Sequence, residues 1–435
     1  MTAAQVSRRD LLQLAGVGLF EQKTSHAVRD HIDAEWFRKT LAGETANWLK
    51  AAATPTGFFQ VTLDRQWRPL EKQIATLTSQ NRQIFVMATG YELTRETAYL
   101  EAMKKGADFL LKNFRDSRYG GLFFSVTPDG KAADERKDCY GHAFAVFGLA
   151  HAARVSRDTR YREAALETWG EMKKNLRDQA GFFKPATSRD FSQVQGTNSQ
   201  NPMMHLFEAL LALHDATKSK AIYRDAEAHA RAMFAQGPGQ LFQPGGGFLP
   251  EVYDGAWKPL PVDQRGRIDL GHQFEWAFLL SHAVEKGFPR TYLSIGERLL
   301  EYGMKVAYDR GQGGIFSTSD YGGSRDDRPK MWWQQCEMLR ALMHYAVLRG
   351  RADLWAPFGQ SLEFVKRNFI DSEHGGWYGA YDPAQPREGK ALNKGSLSQV
   401  GYHVCGMYAE AVRLTQDRAR PPRAAGPAAS PAGQA

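Results

Sequence analysis

Six ionisable residues recur along the chain at nearly even spacing, each within an otherwise apolar segment. Successive members lie 60, 63, 67, 65 and 66 residues apart, and the set comprises Arg82, His142, His205, His272, Glu337 and His403. Burying ionisable groups is costly unless they pair with one another or meet water. The matched positions therefore predict a water-filled cavity on which one arginine, four histidines and one glutamate converge.

Further residues accompany this set. Glu208 follows His205 by three positions and Glu275 follows His272 by three, so each carboxylate shares a helix face with its histidine. A neighbouring carboxylate fixes the tautomer of an imidazole and raises its basicity. Trp333 is expected to offer an apolar face to sugar C–H groups, as are Trp276, Trp332 and Trp377, although each also fits a place in the core.

The residue types favour proton transfer over other chemistries. No histidine pair has the His-x-x-x-His spacing of a helical metal site, so neither a metal nor another cofactor is expected. Glycoside hydrolysis needs two carboxylates flanking one bond, and no nucleophile elbow is present. Two histidines can remove a proton alpha to a carbonyl and return it elsewhere, while Arg82 and a third histidine stabilise the enediolate. The pattern thus predicts sugar epimerisation or aldose–ketose isomerisation.

A second periodicity indicates how these residues are held. A glycine followed by large apolar residues occurs six times, with spacings of 64, 60, 66, 67 and 62 residues, at Gly57, Gly121, Gly181, Gly247, Gly314 and Gly376. An even period of this length is typical of repeat architecture. Each period contains one amphipathic and one apolar helical pattern. We therefore predict an all-α fold, an (α/α)6 barrel or toroid.

Short turns and bulk composition complete the expected architecture. Asp129-Gly130 and Asp254-Gly255 follow β-prone residues, which predicts short β-hairpins on one rim of the barrel. The net charge of +8 includes no dense Lys/Arg run, so nucleic-acid binding is not expected. No apolar stretch approaches the roughly 18 residues of a membrane span, so no membrane association is expected either.

The two ends of the chain differ from the rest. Residues 1–29 contain Ser7-Arg8-Arg9-Asp10-Leu11-Leu12, which resembles a twin-arginine export signal. The segment is expected to be either such a signal or a disordered N-terminus. Periplasmic export is favoured over a cytoplasmic location on this basis. Residues 416–435 are rich in Pro and Ala and are expected to be a disordered tail. The barrel is expected to span residues 30–415.

Several segments resemble the N-acylglucosamine 2-epimerase family. They are the stretches 271–276 (Gly-His-Gln-Phe-Glu-Trp), 201–209, 332–337 and 402–404. This resemblance implies an (α/α)6 barrel and metal-independent acid–base catalysis. It also implies catalytic roles for His272 and His403 and substrate binding by Arg82 and His205. The chain departs from the commoner Pro-Gly-His at Leu270 and from Trp-Trp-Pro-Gln at Gln334, which leaves the local entry into the helix in doubt.

Within the family, residues 201–209 and the Asn393-Lys394-Gly395 loop resemble mannose-isomerase-like members. We therefore expect an isomerase that interconverts free mannose and fructose, or similar sugars, through a cis-enediolate. His142, Glu208, Glu275, Trp333 and Glu337 are expected to bind the sugar alongside Arg82 and His205. The alternatives are a 2-epimerase acting on N-acylglucosamine or cellobiose, and a non-catalytic sugar-binding toroid. The assembly is left open, with a homodimer as one form.

Overall fold

The computed structural model of the protein describes residues 31–234, 241–326, 329–385 and 387–416. The export signal or N-terminal tail predicted over 1–29 lies outside these residues. The predicted C-terminal tail also lies outside them, apart from Gln416, with which the last helix ends. The domain limits at 30 and 415 remain predictions.

Twelve α-helices in the described part of the chain alternate between two layers. The outer helices are α1 (Ala34–Ala52), α3 (Thr97–Asn113), α5 (Thr159–Glu171), α7 (Lys220–Phe234), α9 (Thr291–Val306) and α11 (Trp355–Asn368). The inner helices are α2 (Leu77–Thr94), α4 (Cys139–Ser156), α6 (Gln200–Thr217), α8 (Leu270–Glu285), α10 (Trp332–Leu348) and α12 (Tyr402–Gln416). Helix α5 continues into a π-helical turn, Met172–Leu176, and short 3₁₀ turns cover Val262–Gln264, Ala352–Leu354 and Gly389–Leu392.

The two layers follow from two hydrophobic patterns. In α3, Met103, Ala107 and Leu110 are buried, whereas Glu101 and Asp108 on the opposite face are exposed. In α2, every residue from Leu77 to Gly90 is buried, because an inner helix meets other helices on all sides. Each inner helix packs against the next, and α12 packs against α1 and α2. The inner layer is therefore a closed ring, and the predicted (α/α)6 barrel is confirmed.

Thirteen short strands, counted over the same residues, form five antiparallel sheets. They are β1 (Ala75–Thr76), β2 (Ser125–Val126) and β3 (Ala132–Asp134); β4 (Lys137–Asp138), β5 (Ala186–Thr187) and β6 (Val194–Gln195); β7 (Asn198–Ser199) and β8 (Val252–Tyr253); β9 (Ile268–Asp269), β10 (Thr318–Ser319) and β11 (Arg325–Asp326); and β12 (Lys330–Met331) and β13 (Ala380–Tyr381). In register, Ala75 of β1 lies opposite Val126 of β2. The turn at Asp129-Gly130 joins β2 to β3, as predicted.

All five sheets lie on the rim formed by the N-termini of the inner helices. The first strand of each sheet runs directly into an inner helix and pairs with a strand that follows the next outer helix. Strand ends and helix starts are joined by side-chain caps, because Asp138, Ser199 and Asp269 each accept a hydrogen bond from a backbone N–H of the first helical turn. These caps fix the direction in which the first-turn side chains of the inner helices project.

The six periodic glycines all serve one conformational purpose. Each lies in the turn after an outer helix, and their φ values fall between 67° and 90°. A left-handed backbone of this kind is readily adopted only by glycine. At Gly57 a Cβ atom would also lie 2.1 Å from the carbonyl oxygen of Lys105. The glycine period therefore marks the six reversals of the chain at the rim.

The loop before α12 closes the ring. Gly395 pairs with Leu63 in an antiparallel bridge, and buried Lys394 donates a hydrogen bond to Asp371 at 2.8 Å. Arg65 from the first repeat binds the same carboxylate. Two cations from opposite ends of the chain thus share one buried anion, so the Arg65–Asp371 pair fastens the first repeat to the last, and Lys394 does not line the central cavity.

No helix among the described residues is both long enough and apolar enough to cross a bilayer.

Candidate active site

A cavity of about 210 Å³ lies at the N-terminal rim of the inner helices. Its walls come from the first turns of those helices and from the rim loops, and they comprise Arg82, Tyr140, Asn201, His205, Glu251, Arg267, Asp269, His272, Trp332, Trp333, Ser398 and His403. Five of the residues predicted from the sequence therefore meet on this cavity: Arg82, His205, His272, Trp333 and His403. The other walls were not predicted, apart from Trp332, which had been paired with Trp333.

His272 is held on its Nδ1 side by a carboxylate. Nδ1 lies 2.8 Å from Glu251 Oε2, and Asp269, which caps α8, lies 4.0 Å away. Gln200 donates to the same Glu251 oxygen at 2.8 Å, while its own oxygen accepts from Trp276 Nε1 at 2.6 Å. The Trp276 bond fixes which way the Gln200 amide faces. Glu251 is therefore surrounded by donors.

The charges around His272 keep it protonated. Burial by itself lowers its pKa, but the negative charges of Glu251 and Asp269 outweigh burial and raise the pKa of His272 to about 10. In return, the positive charge of His272 holds the pKa of Glu251 below its ordinary value against the effect of burial. His272 is thus an imidazolium at neutral pH, with Nδ1–H donating to Glu251. No protein group of the described chain lies within hydrogen-bond distance of its Nε2.

His403 is held in the same way but carries the opposite state of charge. Its Nδ1 lies 2.8 Å from Glu337 Oε1. Burial, reinforced by the positive charge of Arg82, keeps the pKa of His403 well below its ordinary range. His403 is therefore neutral at pH 7. With Nδ1–H donated to Glu337, Nε2 carries the lone pair, and within the described residues it too has no protein partner.

Both imidazoles lie against the same indole. The ring centroid of Trp333 is 4.8 Å from that of His272 and 5.5 Å from that of His403. The indole and the two histidines thus form one continuous wall. A protonated and a neutral imidazole, each with a free Nε2, face the same space.

Arg82 supplies the positive charge on another wall. Its Nη2 donates to the Tyr140 hydroxyl at 2.7 Å and its Nη1 to the Ser398 carbonyl at 3.3 Å. The guanidinium carbon lies 4.4 Å from the centroid of Phe144 and 4.8 Å from that of Tyr402. Aromatic rings on its faces and two anchors at its edge fix the guanidinium in place. It is suited to binding an oxygen that becomes negative during reaction.

A layer of carboxylates lies beneath these residues. His205 Nδ1 is 3.1 Å from Glu208 Oε2, which also accepts from the Tyr402 hydroxyl. Glu275 is only 1% exposed, and neither of its oxygens has a hydrogen-bond partner among the described residues. Burial, and next the negative charge of Glu337, raise the pKa of Glu275 well above its ordinary value. Glu275 is therefore a neutral acid at pH 7.

This layer also contains the residues that could hold a cation. One potential ligand atom from each of His205, Glu208 and Glu275 lies within 4.8 Å of the others, and the same is true of Glu275, Glu337 and His403. In both groups, however, the histidine Nδ1 is already bonded to a carboxylate.

The sequence period does not place all six residues at one level. Arg82, His205 and Glu337 are each the sixth residue of their helices, and so is Glu275. His272 is the third residue of α8 and His403 the second residue of α12, about one turn nearer the rim. His272 and His403 therefore lie nearer the rim than the layer that comprises Arg82, His205, Glu275 and Glu337.

His142 is a correction to the expected site. It is the fourth residue of α4, and it lies outside the cavity. Its Nδ1 lies 2.8 Å from the Asp138 carbonyl and its Nε2 accepts from the Leu122 N–H at 3.0 Å. In three other inner helices the fourth residue is a glutamine with the same role. Gln80, Gln273 and Gln335 each form a hydrogen bond with the backbone beside a periodic glycine. His142 therefore fastens the rim to the helix.

Glu251 is the most important residue that sequence reasoning missed. It lies in a rim loop and not on an inner helix, so the helical register could not reveal it. One signal was present, since Glu251 follows the periodic glycine Gly247 by four positions. At the same offset the other five repeats carry Val61, Ser125, Pro185, Thr318 and Ala380. Only the fourth repeat places a carboxylate there.

The two departures from the family pattern, Leu270 and Gln334, bind the same backbone carbonyl. Leu270 keeps a backbone N–H, which a proline would lack, and donates it to the Ser317 carbonyl at 3.0 Å. Gln334 Nε2 donates to that carbonyl and to Asp269 Oδ1, both at 3.0 Å. Together they fix Asp269, the cap of α8, and hence the residue three positions later, His272. The helix entry that the sequence left in doubt is well ordered by these bonds.

Comparison with known proteins identifies the family of this chain. Residues 57–406 match the N-acylglucosamine 2-epimerase (GlcNAc 2-epimerase) family. The chain is 24% identical over 372 residues to a D-mannose isomerase of Marinomonas mediterranea, covering 82% of this chain and 91% of the relative. It is 28% identical over 406 residues to human N-acylglucosamine 2-epimerase, covering 88% and 89%.

The fold is shared with solved structures. The cellobiose 2-epimerase of Spirochaeta thermophila superposes with a TM-score of 0.79 at 24% identity, covering 89% of this chain and 98% of that one. The family match spans most of the chain and includes the helices and rim loops that form the cavity, from Arg82 to His403. The protein belongs to the N-acylglucosamine 2-epimerase family, whose members are sugar isomerases and epimerases.

Proposed function

We propose that this enzyme interconverts an aldose and a ketose of the mannose–fructose type, acting on the free monosaccharide. The observation that carries the proposal is the pair of carboxylate-held histidines, His272 and His403, which line one cavity and whose Nε2 atoms have no protein partner among the described residues. One is protonated and the other neutral at pH 7, which suits them to act as acid and base in the same turnover. The resemblance of the chain to a D-mannose isomerase supports the choice of sugar.

The proton balance assigns one task to each histidine. His403 Nε2 removes the hydrogen from C2, and the electrons of that bond form the C1–C2 double bond of a cis-enediolate. His272 donates its Nε2 proton to O1, which was the carbonyl oxygen. His272 then takes the proton from O2 while His403, whose Nε2 proton exchanges with solvent in the intermediate, delivers a proton to C1, so a ketone forms at C2 and both histidines recover their original states.

Other residues stabilise the intermediate and position the sugar. Arg82 and His205 are proposed to bind the oxygens that become negative in the enediolate. Trp333 is proposed to pack against the C–H face of the sugar. Glu208, Glu275 and Glu337 are proposed to act through His205 and His403 and not through the sugar itself. Glu275, as a neutral acid, can donate a hydrogen bond within this layer.

A 2-epimerase is the second candidate, because human N-acylglucosamine 2-epimerase is among the relatives. Such an enzyme would use the same two histidines on opposite faces of C2. In either reaction the acid and the base are protein side chains, so we propose that turnover requires no metal.

The products in deuterated water separate the candidates. Mannose, N-acetylglucosamine and cellobiose would each be incubated with the enzyme in D2O and followed by NMR. We expect fructose from mannose, with deuterium at C1. Glucose as the only product of mannose, or turnover only of the other two sugars, would instead identify an epimerase. Absence of both product and exchange at C2 for every sugar would refute the proposal.

A further inference from the structure

A second cavity of about 200 Å³ lies at the opposite end of the barrel from the catalytic one. We call it the distal cavity. Its walls come mainly from later turns of the inner helices, with the aromatic rings of Phe85, Phe147 and Phe278, and also include the ring of Tyr402, the first residue of α12. Glu208, from the carboxylate layer beneath the catalytic histidines, lines it as well, as does Arg340, three residues after Glu337 on α10. The two cavities are therefore separated by little more than one layer of side chains.

Arg340 is an unusual residue in this wall. Its side chain is only 14% exposed, and its guanidinium carbon lies 3.8 Å from the centroid of Phe278. None of its N–H groups makes a hydrogen bond of 3.5 Å or less to the described residues, and Nε is fully buried without a partner. The acidic atom nearest to it is Glu337 Oε2, 3.6 Å from Nη1. Burying a charge with so few hydrogen bonds costs free energy of folding, which suggests that Arg340 has a function that offsets this cost.

Glu337 connects this arginine with the catalytic cavity. Its Oε1 lies 2.8 Å from His403 Nδ1, whereas its Oε2 has no hydrogen bond and lies toward Arg340. We propose that Arg340 is a positioning residue for the proton transfer. From the distal cavity it keeps the Glu337 carboxylate ionised, so that Glu337 accepts from His403 Nδ1 and leaves His403 Nε2 free to act as the base.

The charges around Glu337 make Arg340 decisive. Seven ionisable groups face it from four inner helices: Cys336 and Arg340 on α10, His205 and Glu208 on α6, Glu275 on α8, and Tyr402 and His403 on α12. His205, His403, Glu275, Cys336 and Tyr402 are neutral at pH 7, and Glu208 is negative. Arg340 is thus the one permanent positive charge in this group.

The sign of the effect follows from this arrangement. Burial raises the pKa of Glu337 to about 7, and Arg340 opposes that rise. Without Arg340 the pKa of Glu337 moves higher, so the carboxyl group stays protonated at neutral pH. Its O–H then donates to His403 Nδ1, the ring proton moves to Nε2, and the base is lost. Raising the pH ionises Glu337 again and restores the base.

The kinetic test compares the pH dependence of turnover for Arg340→Met, Arg340→Lys and the wild type. We expect the acidic limb of the Arg340→Met profile to lie about 1–3 pH units higher, since an opposite charge at this distance shifts a carboxyl pKa by that amount. Arg340→Lys should stay near the wild type. Arg154→Met is the matched control, because Arg154 lines the same cavity but is bonded to Glu92. An equal loss of turnover at every pH, or an unmoved limb, would overturn the inference.

Chemical rescue tests access from the distal cavity. Millimolar guanidinium added to Arg340→Met should move the acidic limb back toward the wild type, and the same salt should leave Arg154→Met unchanged. If Arg340→Met does not fold, Arg340→Gln replaces it, because Gln is also neutral and its amide can form hydrogen bonds in a polar site. A limb that stays displaced at every guanidinium concentration would contradict access through this cavity.

The inference rests on the proposed role of His403, so one readout must be independent of turnover. In protein labelled with ¹⁵N-histidine, the His403 signals are identified by their loss in His403→Gln. We expect the Nε2 proton of His403 to be lost in the wild type as the pH rises through about 7, the pKa of Glu337, and in Arg340→Met only about 1–3 pH units higher. Loss of the Nε2 proton at the same pH in both proteins would refute the role of Arg340 even if the sugar chemistry is as proposed. The expected change of tautomer without turnover of any sugar would refute only the proposed function.

Discussion

Replacing Glu251 by Gln tests the electrostatic basis of the proposed acid. The substitution keeps the size of the side chain that contacts His272 Nδ1 at 2.8 Å, but removes its charge. In the native protein the pKa of His272 is raised from 6.5 to about 10. This difference of pKa corresponds to a preference of about 5 kcal/mol for the protonated ring. Glu251 is the nearer of the two carboxylates that produce it, and Asp269 at 4.0 Å is the other.

The size of the effect follows from the loss of one adjacent charge. Removing an opposite charge at this distance lowers a pKa by about 1–3 units, which brings His272 to about 7–9. At pH 6 the ring stays protonated and turnover should change little. At pH 9 the protonated fraction falls by about 2-fold to 100-fold across that range of pKa values, and turnover should fall with it. The alkaline limb of the pH profile therefore moves to lower pH.

The assay is the initial rate of sugar conversion from pH 5 to pH 10. Glu285→Gln is the control, since Glu285 contacts His282 Nδ1 at 3.1 Å outside the catalytic cavity and should leave the alkaline limb in place. An unmoved alkaline limb in Glu251→Gln would refute the argument that Glu251 keeps His272 protonated. A shift in both variants would show that the effect is not specific to His272.

The free energy of unfolding should also depend on the interaction between Glu251 and His272. Because the pKa of His272 is higher in the folded protein, its contribution to the free energy of unfolding is complete below pH 6.5 and is lost as the pH rises through about 10. Glu251→Gln should make the free energy of unfolding less dependent on pH between 6.5 and about 10.

Two further results are expected. His142→Gln should fold and turn over like the wild type, because Gln occupies the equivalent position in three other inner helices. His142→Ala leaves the Leu122 N–H unpaired and should lower the free energy of unfolding by about 1–3 kcal/mol, measured by denaturant titration. Equal stability of the two variants would contradict the structural role of His142. Turnover should be unchanged after exhaustive treatment with EDTA, with removal of metal verified by metal analysis of the treated protein. Loss of activity that only added metal restores would contradict protein-only acid–base catalysis.

The periodic glycines made the architecture predictable from the sequence. A backbone with positive φ strongly favours glycine, so a glycine occurs at each chain reversal and recurs with the period of the repeats. Apolar helical patterns between the marks then predict the two layers. The same reasoning found Arg82, His205, His272 and His403, because ionisable residues within the apolar helical segments are few.

The relative heights of these residues could not be predicted in the same way. His142 and His205 lie on neighbouring inner helices at a spacing that resembles the glycine period, yet His142 binds the rim backbone and His205 lines the cavity. One residue along a helix turns a side chain by about 100°, so a period known only to within a few residues cannot assign a face. The structure was needed to distinguish them.

The hydrogen-bond partners and the charge states of the histidines could not be predicted from the sequence either. Glu251 reaches His272 from a rim loop, and Glu337 reaches His403 from a different helix. Glu275, three positions after His272, was expected to be its partner but lies 3.9 Å from His205 Nε2 instead. Which histidine is protonated depends on these contacts across the ring and on burial, and neither is encoded in local spacing.

The central claim is that His403 is the base that removes the hydrogen from C2. The most direct measurement is the rate at which the C2 hydrogen of mannose exchanges with deuterium in D2O, compared between the wild type and His403→Gln by NMR. The account predicts exchange with turnover in the wild type and its loss in a folded His403→Gln protein that still binds the sugar. Exchange at C2 that continues near the wild-type rate in His403→Gln would contradict it.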